Sequence, residues 1–496
     1  MRRLGFFLLS ILLAGTAQAY AADDVVTRAM RLYEKRHYDE AARMLRSESA
    51  SIEPGKKGNA NLALGMTYFK NAVLHRDLYQ AANVTSQDYL KKLSAVQGEN
   101  RSRFVDLYFG EALVESGKAG AAAVYLGKFS QSGDGQPRYR AIAKVCLGFG
   151  YYQNNETSKA TEIWGRVDTS DIEVKAELAA AHSKAHLMDK GPAVITEGIL
   201  SEMKKSGKPL SMRMVKNLVA ICARVSGLTE GGLDLLNRSD LKAFSYRESL
   251  GKSKVIHFYD LSLLNDMATL YGRASVTYLE KAAGDPKAKD AAEFYLAQAY
   301  ALFGSVEQSS KVTASFIATS QMPQRYKDRI RVWQGANLYV RNRQTDAMAV
   351  WDELMRKTPE DPDLMAEILS ACSRVNAECP GFLQKATAMV EVGESKKLSF
   401  LNIAIGKYYL GRLDPVKAVS YLETGRDKSN KNKIESNDPV MLVSLADAYY
   451  RTKKFSEALE IYFEMSKEFP EIRQIQEAVQ GVYAMEHKSA GDVKIN

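Results

Sequence analysis

Apolar residues recur along almost the whole chain at three- and four-residue intervals, the spacing of amphipathic helices, and do not alternate as strands do. The clearest case is residues 439–470, PVMLVSLADAYYRTKKFSEALEIYFEMSKEFP, which divides into two amphipathic stretches around a basic turn. The first carries Leu445, Ala446 and Tyr449, the second Phe455, Ala458, Leu459 and Tyr462. Small residues stand where two helices must approach closely, aromatic residues fill the space beside them, and Pro470 ends the second helix. Neither helix can bury its apolar face alone, so the pair has to pack on neighbours.

The same set returns upstream: a small residue, a bulky one three later, then a small residue in the next helix and a bulky one four beyond it. Ala29 and Leu32 with Tyr38 and Ala41 form one unit. Leu64-Gly65-x-x-Tyr68 opens the next, but residues 71–87 replace its turn and predict a longer helix or an insertion. Gly110, Leu113, Gly117 and Ala122 mark a third unit, and Leu147-Gly148-x-x-Tyr151 with Ala160 and Trp164 a fourth. Between residues 173 and 251 the pattern weakens. Helix pairs are expected there at 174–188 with 193–204 and at 211–225 with 230–237, Ala220 and Gly232 keeping the usual separation. Residues 253–283 predict a helix pair turning near Tyr271-Gly272, and no sheet is expected anywhere.

The signal then recovers in Leu296-Ala297-x-x-Tyr300 with Gly304 and Ser309, and in Gly335, Leu338, Ala347, Trp351 and Pro359. A degenerate unit over 361–391 holds Cys379-Pro380-Gly381 in its turn, and Ile405-Gly406-x-x-Tyr409 follows with Pro415 and Ala418. Pro286, Pro323 and Pro359 lie about 37 residues apart, in phase with inter-repeat loops. The Lys- and Asn-rich residues 427–438 read as the longest loop, and 471–487 as one last helix covering the exposed end of the array.

First-helix Leu-Ala-x-x-Tyr, second-helix Phe-x-x-Ala-x-x-x-Tyr and a closing Pro resemble the tetratricopeptide repeat (TPR), in its exported bacterial form. The resemblance implies an all-α, right-handed superhelical solenoid of about 11–12 antiparallel helix pairs with a C-terminal capping helix. The expected divisions are a signal peptide at 1–19, TPR-like repeats at 24–170, degenerate helical repeats at 171–285, TPR repeats at 286–470 and the cap at 471–487. At 496 residues, with 12 Pro and 33 Gly, the chain is too long for one ordinary core and poor in helix breakers, which agrees with a repeat array.

The first residues read as a signal peptide: Arg2 and Arg3, an apolar run over 4–14, and Ala17-Gln18-Ala19 as the cleavage site, with Ala19-Tyr20-Ala21 a second frame. No later stretch approaches the ~20 apolar residues of a spanning helix, so a periplasmic or secreted protein cleaved after Ala19 is expected. The formal net charge of +9 is spread over short Lys clusters, which fit solvated loops or contact with an anionic polymer or membrane surface; nucleic acid is not expected as a partner. Of the four cysteines, only Cys372 and Cys379 are near enough in sequence to bridge, two buried thiols being the alternative.

Nothing in the sequence assembles catalytic chemistry. His182 and His186 form an i, i+4 pair, yet Ser183 stands where a zinc protease would need Glu, and no phosphate-binding or nucleophile-elbow segment occurs in a strand-to-helix context. No enzyme activity, cofactor or metal is expected. The TPR resemblance implies a concave groove lined by first helices, placing Phe104, Phe149, Tyr152, Phe294, Tyr339, Phe400, Tyr450 and Arg451 at or near it. Aromatic residues at helical spacing serve equally well as core between helices. The Lys/Asn clamp that TPR co-chaperones use is not matched, since Phe149, Gln298, Ala336 and Asp447 occupy such positions. The expected function is a non-enzymatic scaffold binding an envelope protein or peptide, in secretion, polysaccharide export or outer-membrane assembly. Alternatives are binding of an anionic polymer or lipid through basic loops, and an accessory role in cell-wall hydrolysis.

Overall fold

The computed structural model describes residues 24–94, 104–132, 136–186, 211–225, 227–236, 245–249, 255–259, 261–392, 398–426 and 438–472, with isolated positions at 198 and between 475 and 482. The signal peptide and most of the expected capping helix at 471–487 lie outside these residues, as do the loop at 427–437 and the expected helix at 193–204.

The fold is an all-α, TPR-like array of antiparallel helix pairs. Its helices are α1 Val25–Glu34, α2 Tyr38–Ser47, α3 Lys57–Ser94, α4 Val105–Glu115, α5 Ala119–Gln131, α6 Pro137–Gln153, α7 Thr157–Gly165, α8 Ile172–Lys184, α9 Met212–Cys222 and α10 Thr229–Leu236. A hairpin of β1 Ser245–Ser249 and β2 Val255–Tyr259 follows, then α11 Leu261–Ala283, α12 Lys289–Phe303, α13 Val306–Thr319, α14 Gln324–Val340 and α15 Gln344–Lys357. The chain continues through α16 Pro362–Arg374, α17 Pro380–Val392, α18 Ser399–Gly411, α19 Pro415–Gly425, α20 Pro439–Arg451 and α21 Phe455–Glu468.

The turn inside seven of the described repeats is one local device, while the α12–α13 turn at Gly304, φ −132°, does without it. An amide closes onto a carbonyl five residues back, as in His37 to Leu32, Lys118 to Leu113, Glu156 to Tyr151, Arg343 to Leu338, Ala377 to Cys372, Asp414 to Tyr409 and Lys454 to Tyr449. This is a Schellman closure, and it puts one residue into the left-handed region. Gly117, Asn155, Asn342 and Asn376 suit that region, whereas Arg36, Leu413 and Lys453 occupy it at a steric cost of ~1 kcal/mol.

Beyond the turn, the two helices lock at one point. The Trp164 indole lies against Gly148, where an added Cβ would fall 2.3 Å from Nε1, and that Nε1–H donates to the Val145 carbonyl at 3.0 Å. Gly335 and Trp351 repeat the arrangement, with Trp351 Nε1 donating to the Val332 carbonyl at 2.9 Å. Leu126 over Gly110 and Leu422 over Gly406 are the aliphatic versions. The small-plus-bulky signature of the sequence is therefore a close helix approach plugged by one large side chain.

The Leu64-Gly65-x-x-Tyr68 unit breaks the local rule. Residues 71–87 form no turn; α3 runs unbroken from Lys57 to Ser94. Its first half finds its second helix in α11. Leu279 plugs Gly65, Ser275 Oγ donates to the Gly65 carbonyl at 2.8 Å across 210 residues, and Tyr68 stacks on Tyr271 and Tyr278. In the uninterrupted pair α12/α13 the matching bond, Ser309 Oγ to the Ala297 carbonyl at 2.7 Å, spans 12 residues. One repeat is thus opened and the intervening chain inserted into it. The expected turn at Tyr271-Gly272 is accordingly absent, because both residues sit inside continuous α11, and Gly272 instead admits Phe303.

The hairpin is a second correction. The β-branched and aromatic run Val255–Tyr259 pairs with Ser245–Ser249 in antiparallel register, Ser245 opposite Tyr259 and Arg247 opposite His257.

The chain forms two compact units, which cut across the divisions expected from sequence. The first comprises Met1–Leu74, Tyr271–Ile461 and Lys467–Ile472, the second His75–Leu270, Tyr462–Ser466 and Arg473–Asn496. In the first unit the opening and closing repeats meet: His37 Nδ1 lies 3.0 Å from Glu471, its ring packs on Phe469, and Arg36 Nε lies 3.9 Å from Asp438.

Candidate functional site

Several expected groove residues belong to the core. Phe104 is buried among Tyr108, Phe129 and Tyr139. Phe294 is enclosed by Tyr295, Phe316 and Tyr326, and Tyr450 is buried against Phe455. Phe104 and Phe294 reach the next repeat through Tyr139 and Tyr326, whereas Tyr450 packs on the second helix of its own repeat, and in each place the ring removes more apolar area from water than it would on an open face. Phe149 and Tyr152 are partly buried, Tyr152 stacking on Trp164, and Tyr339 packs beside the core around Trp351. Arg451 makes a two-pronged pair with Asp447 at 2.8 and 2.9 Å. His182 packs edge-on to Trp164, while α8 ends at Lys184 and leaves His186 beyond it at φ 51°, so the two histidines do not share a helix face. Cys372 and Cys379 form a disulfide across the α16–α17 turn, and the Cys379 amide donates to the Tyr408 hydroxyl at 2.9 Å.

Phe400 is an expected groove residue that faces an opening. It helps line a cleft of about 220 Å³ in the first unit. The walls are first helices: Phe69, Lys70 and Val73 of α3, Gln298 and Leu302 of α12, Arg329 and Trp333 of α14, Glu367 and Arg374 of α16, Ile403 and Lys407 of α18, and Asp438 with Met441 at the start of α20. Successive first helices α12, α14, α16, α18 and α20 pack side by side, so one stripe from each faces the same space. The lining is apolar at Trp333, Phe400, Val73, Leu302 and Met441 and charged at Lys70, Arg329, Asp363, Glu367, Arg374, Lys407 and Asp438.

The charges differ across the cleft. Arg329 Nε donates to Glu367 at 2.7 Å, and this pairing holds the guanidinium above its usual range despite burial. Lys70 is buried with both a carboxylate and cations nearby. Burial pulls its pKa down to about 8; Asp438 opposes the fall, while Arg36, Lys407 and Arg374 add to it. Asp438 has other duties, capping α20 by accepting the Val440 amide at 3.0 Å and facing Arg36. Among the described residues, no ion pair reaches the Lys70 ammonium.

The inner helices of the second unit carry a contrasting arrangement. Glu177 of α8 accepts from Arg213 and from Asn217, each at 3.0 Å, and pairs with Lys216 at 3.2 Å. Arg213 also reaches Glu111 at 2.9 Å, Lys184 reaches Glu115 at 2.7 Å and Asp266 at 3.6 Å, and Arg224 meets Asp266 at 2.6 Å. Burial would raise the Glu177 pKa, but Lys216, Arg213 and the Asn217 hydrogen bond overcome it and bring it down to about 2. Here every charge has its counter-charge inside the protein. Sequence reasoning missed both sets, because charged residues at helical spacing read as a solvated face.

No family model and no curated protein matches the chain. Among solved structures it is similar to yeast Tom70, at 12% identity and TM-score 0.33 over 93% of this chain and 95% of that one. It is also similar to the APC/C hetero-tetramer Cut9–Hcn1, at 14% identity and TM-score 0.27 over 96% and 98%. A human IFIT1 dimer with PPP-AAAA is similar at 10% identity and TM-score 0.26 over 88% and 96%.

Proposed function

We propose that the protein is a non-enzymatic scaffold of the bacterial envelope that holds another protein through the inner cleft of its first unit. The observation that carries this is the cleft itself, an apolar stripe contributed by successive first helices and flanked by charge, with Trp333 and Phe400 only partly buried. A compact core would have covered them; a partner's side chains can do so instead. The signal-like residues 1–19 and the Cys372–Cys379 disulfide support export to an oxidising compartment.

The test is a photo-crosslinking amino acid placed in living cells at Trp333 or Phe400, and at the exposed positions Val124 and Val416 for comparison. The expected result is discrete crosslinked species from the first two positions only. Crosslinks confined to Val124 and Val416 would remove the cleft from consideration. Adducts with lipopolysaccharide or glycan in place of protein would favour the anionic-polymer alternative.

A further inference from the structure

We infer that the contact between the first and last repeats of the first unit is a pH-sensitive latch: a charged His37 holds Glu471, and its release frees the start of α20, which lines the cleft. The inference goes beyond the scaffold reading and stands whatever enters the cleft.

The first unit is a circuit of helix pairs. Asn71 of α3 donates to Asp39 of α2 at 2.8 Å, Phe69 of α3 packs edge-on to Tyr295 of α12, and first helices then follow side by side from α12 to α20. The α1–α2 turn closes the circuit on the last repeat, where His37 meets a residue 434 positions away. The closure is unlike the joints inside the array. Phe294 and Tyr326 join two successive repeats ring to ring, whereas the closure rests on polar side chains and on the His37 ring lying against Phe469. It is also slack at one point: Arg36 Nε lies 3.9 Å from Asp438 and is enclosed without a hydrogen bond. Release here reaches the cleft because Asp438 belongs to both places. It caps α20 through the Val440 amide, faces Arg36, and lines the cleft together with Val440 and Met441.

His37 decides how firmly the closure holds. Glu471 keeps only 8% of its side chain exposed, and its carboxylate lies 3.0 Å from His37 Nδ1. A carboxylate so far removed from water needs a cation beside it. A neutral imidazole offers a hydrogen bond alone, while a protonated one adds the charge and makes the stronger class of bond. Histidine is the side chain that changes charge between about pH 5 and 8. Around it Arg36 stays cationic and is answered by Asp438, and burial pushes the Tyr33 and Tyr38 hydroxyls up and keeps them neutral. Arg36 alone opposes a charge on His37, and Glu471 is the nearer of the two groups that favour it. The latch therefore tightens as pH falls and loosens as it rises.

The experiment places spin labels at the exposed positions Lys35 and Lys467, each changed to Cys in the full chain with Cys146→Ser and Cys222→Ala. Electron–electron distances are recorded at about pH 5.5 and about pH 8 for the native closure and for His37→Gln, His37→Lys and Glu471→Gln. Acrylamide quenching of Trp333, which lines the cleft, is followed alongside. The native closure should give one short distance in acid and a second, longer population at the higher pH, the ratio of the two shifting about tenfold. His37→Lys should hold the short distance at both pH values. His37→Gln and Glu471→Gln should show the longer population at both, with stronger quenching of Trp333. A distribution that is the same at both pH values for the native closure overturns the inference, since the contact is then fixed packing. So does a pH response that His37→Gln leaves intact, which would place the switch elsewhere, and so does a longer population that leaves Trp333 quenching unmoved, which would cut the closure off from the cleft.

Discussion

Lys70 and Lys216 both stand on first helices of repeat pairs, one in each unit, and their surroundings are opposite. Lys216 pairs with Glu177 in a network where Arg213, Lys184 and Arg224 also have carboxylates at hand. Lys70 is held mainly by burial beside a cleft whose lining mixes Arg329, Arg374 and Lys407 with Asp363, Glu367 and Asp438. The helical repeat thus supplies an inner face without deciding its use. Buried ion pairs fill that face in the second unit, and in the first a cleft leaves part of it open.

The largest way to break this contrast is to remove the pivot of the balanced side. Glu177→Gln leaves Lys216 and part of Arg213 buried without a counter-charge and should cost about 3 kcal/mol, read as a lower denaturation midpoint. The same group sets a pH limit. With its pKa lowered from 4.5 to about 2 in the folded state, Glu177 contributes stability that is present above pH 4.5 and is lost as pH falls toward 2. The variant should lose that acid dependence; a midpoint that falls with pH as steeply as in the wild type would contradict the assignment.

Next in size is the disulfide. Cys372 and Cys379 belong to the first unit, while Cys146 and Cys222 in the second are free thiols. Replacing both bridged cysteines by Ser, or adding reductant, should destabilise the first unit by about 2 kcal/mol and leave hydrogen exchange in the second unchanged. Gly335→Ala and Gly148→Ala probe the Trp plug that the units have in common. Each should cost ~1–2 kcal/mol, because the new methyl displaces the indole and weakens its bond to the carbonyl. A cost at one site alone would show that the plug is not equivalent in the two units.

The smallest effect has the opposite sign. Lys70→Met removes a charge that its surroundings disfavour, so stability should rise by ~1 kcal/mol at pH 7 and the gain should fade above about pH 8, where the wild-type lysine is already neutral. Denaturation at pH 7 and pH 9 measures it. A loss of stability at pH 7 would mean that Lys70 is satisfied by its neighbours.

The repeat framework was legible because its cause is local. Gly148 with Trp164 and Gly335 with Trp351 lie within one helix pair, so the contact leaves a short-range signature. The split repeat was not, since the partner of Gly65 is Ser275, 210 residues away, and periodicity carries no information at that distance. A trace existed: Ser275 and Leu279 form a second-helix signature with no first helix before them, and Leu64-Gly65-x-x-Tyr68 a first helix with no second after it. For the hairpin the clue was the run Val255–Tyr259, which suits a strand better than the helix it was assigned to. At the site, Phe400 was found by projecting an aromatic onto the inner face. Phe104, Phe294 and Tyr450 met the same criterion and proved buried, because the projection cannot tell a ring facing the groove from one turned into a neighbouring helix. Lys70, Arg374 and Lys407 acquire meaning only once distant helices bring them together.

Tryptophan fluorescence tests the central claim most directly. Of the three tryptophans, Trp164 and Trp351 are 4% and 0% exposed, while Trp333 borders the cleft and keeps part of its surface open. The difference between the wild-type spectrum and that of Trp333→Phe isolates this one ring. If the inner face of the first unit is an open cleft, that emission is red-shifted and is quenched by acrylamide, iodide and caesium. A blue-shifted emission that none of the three quenches would mean that the cleft is closed core like its counterpart, and the account would fail.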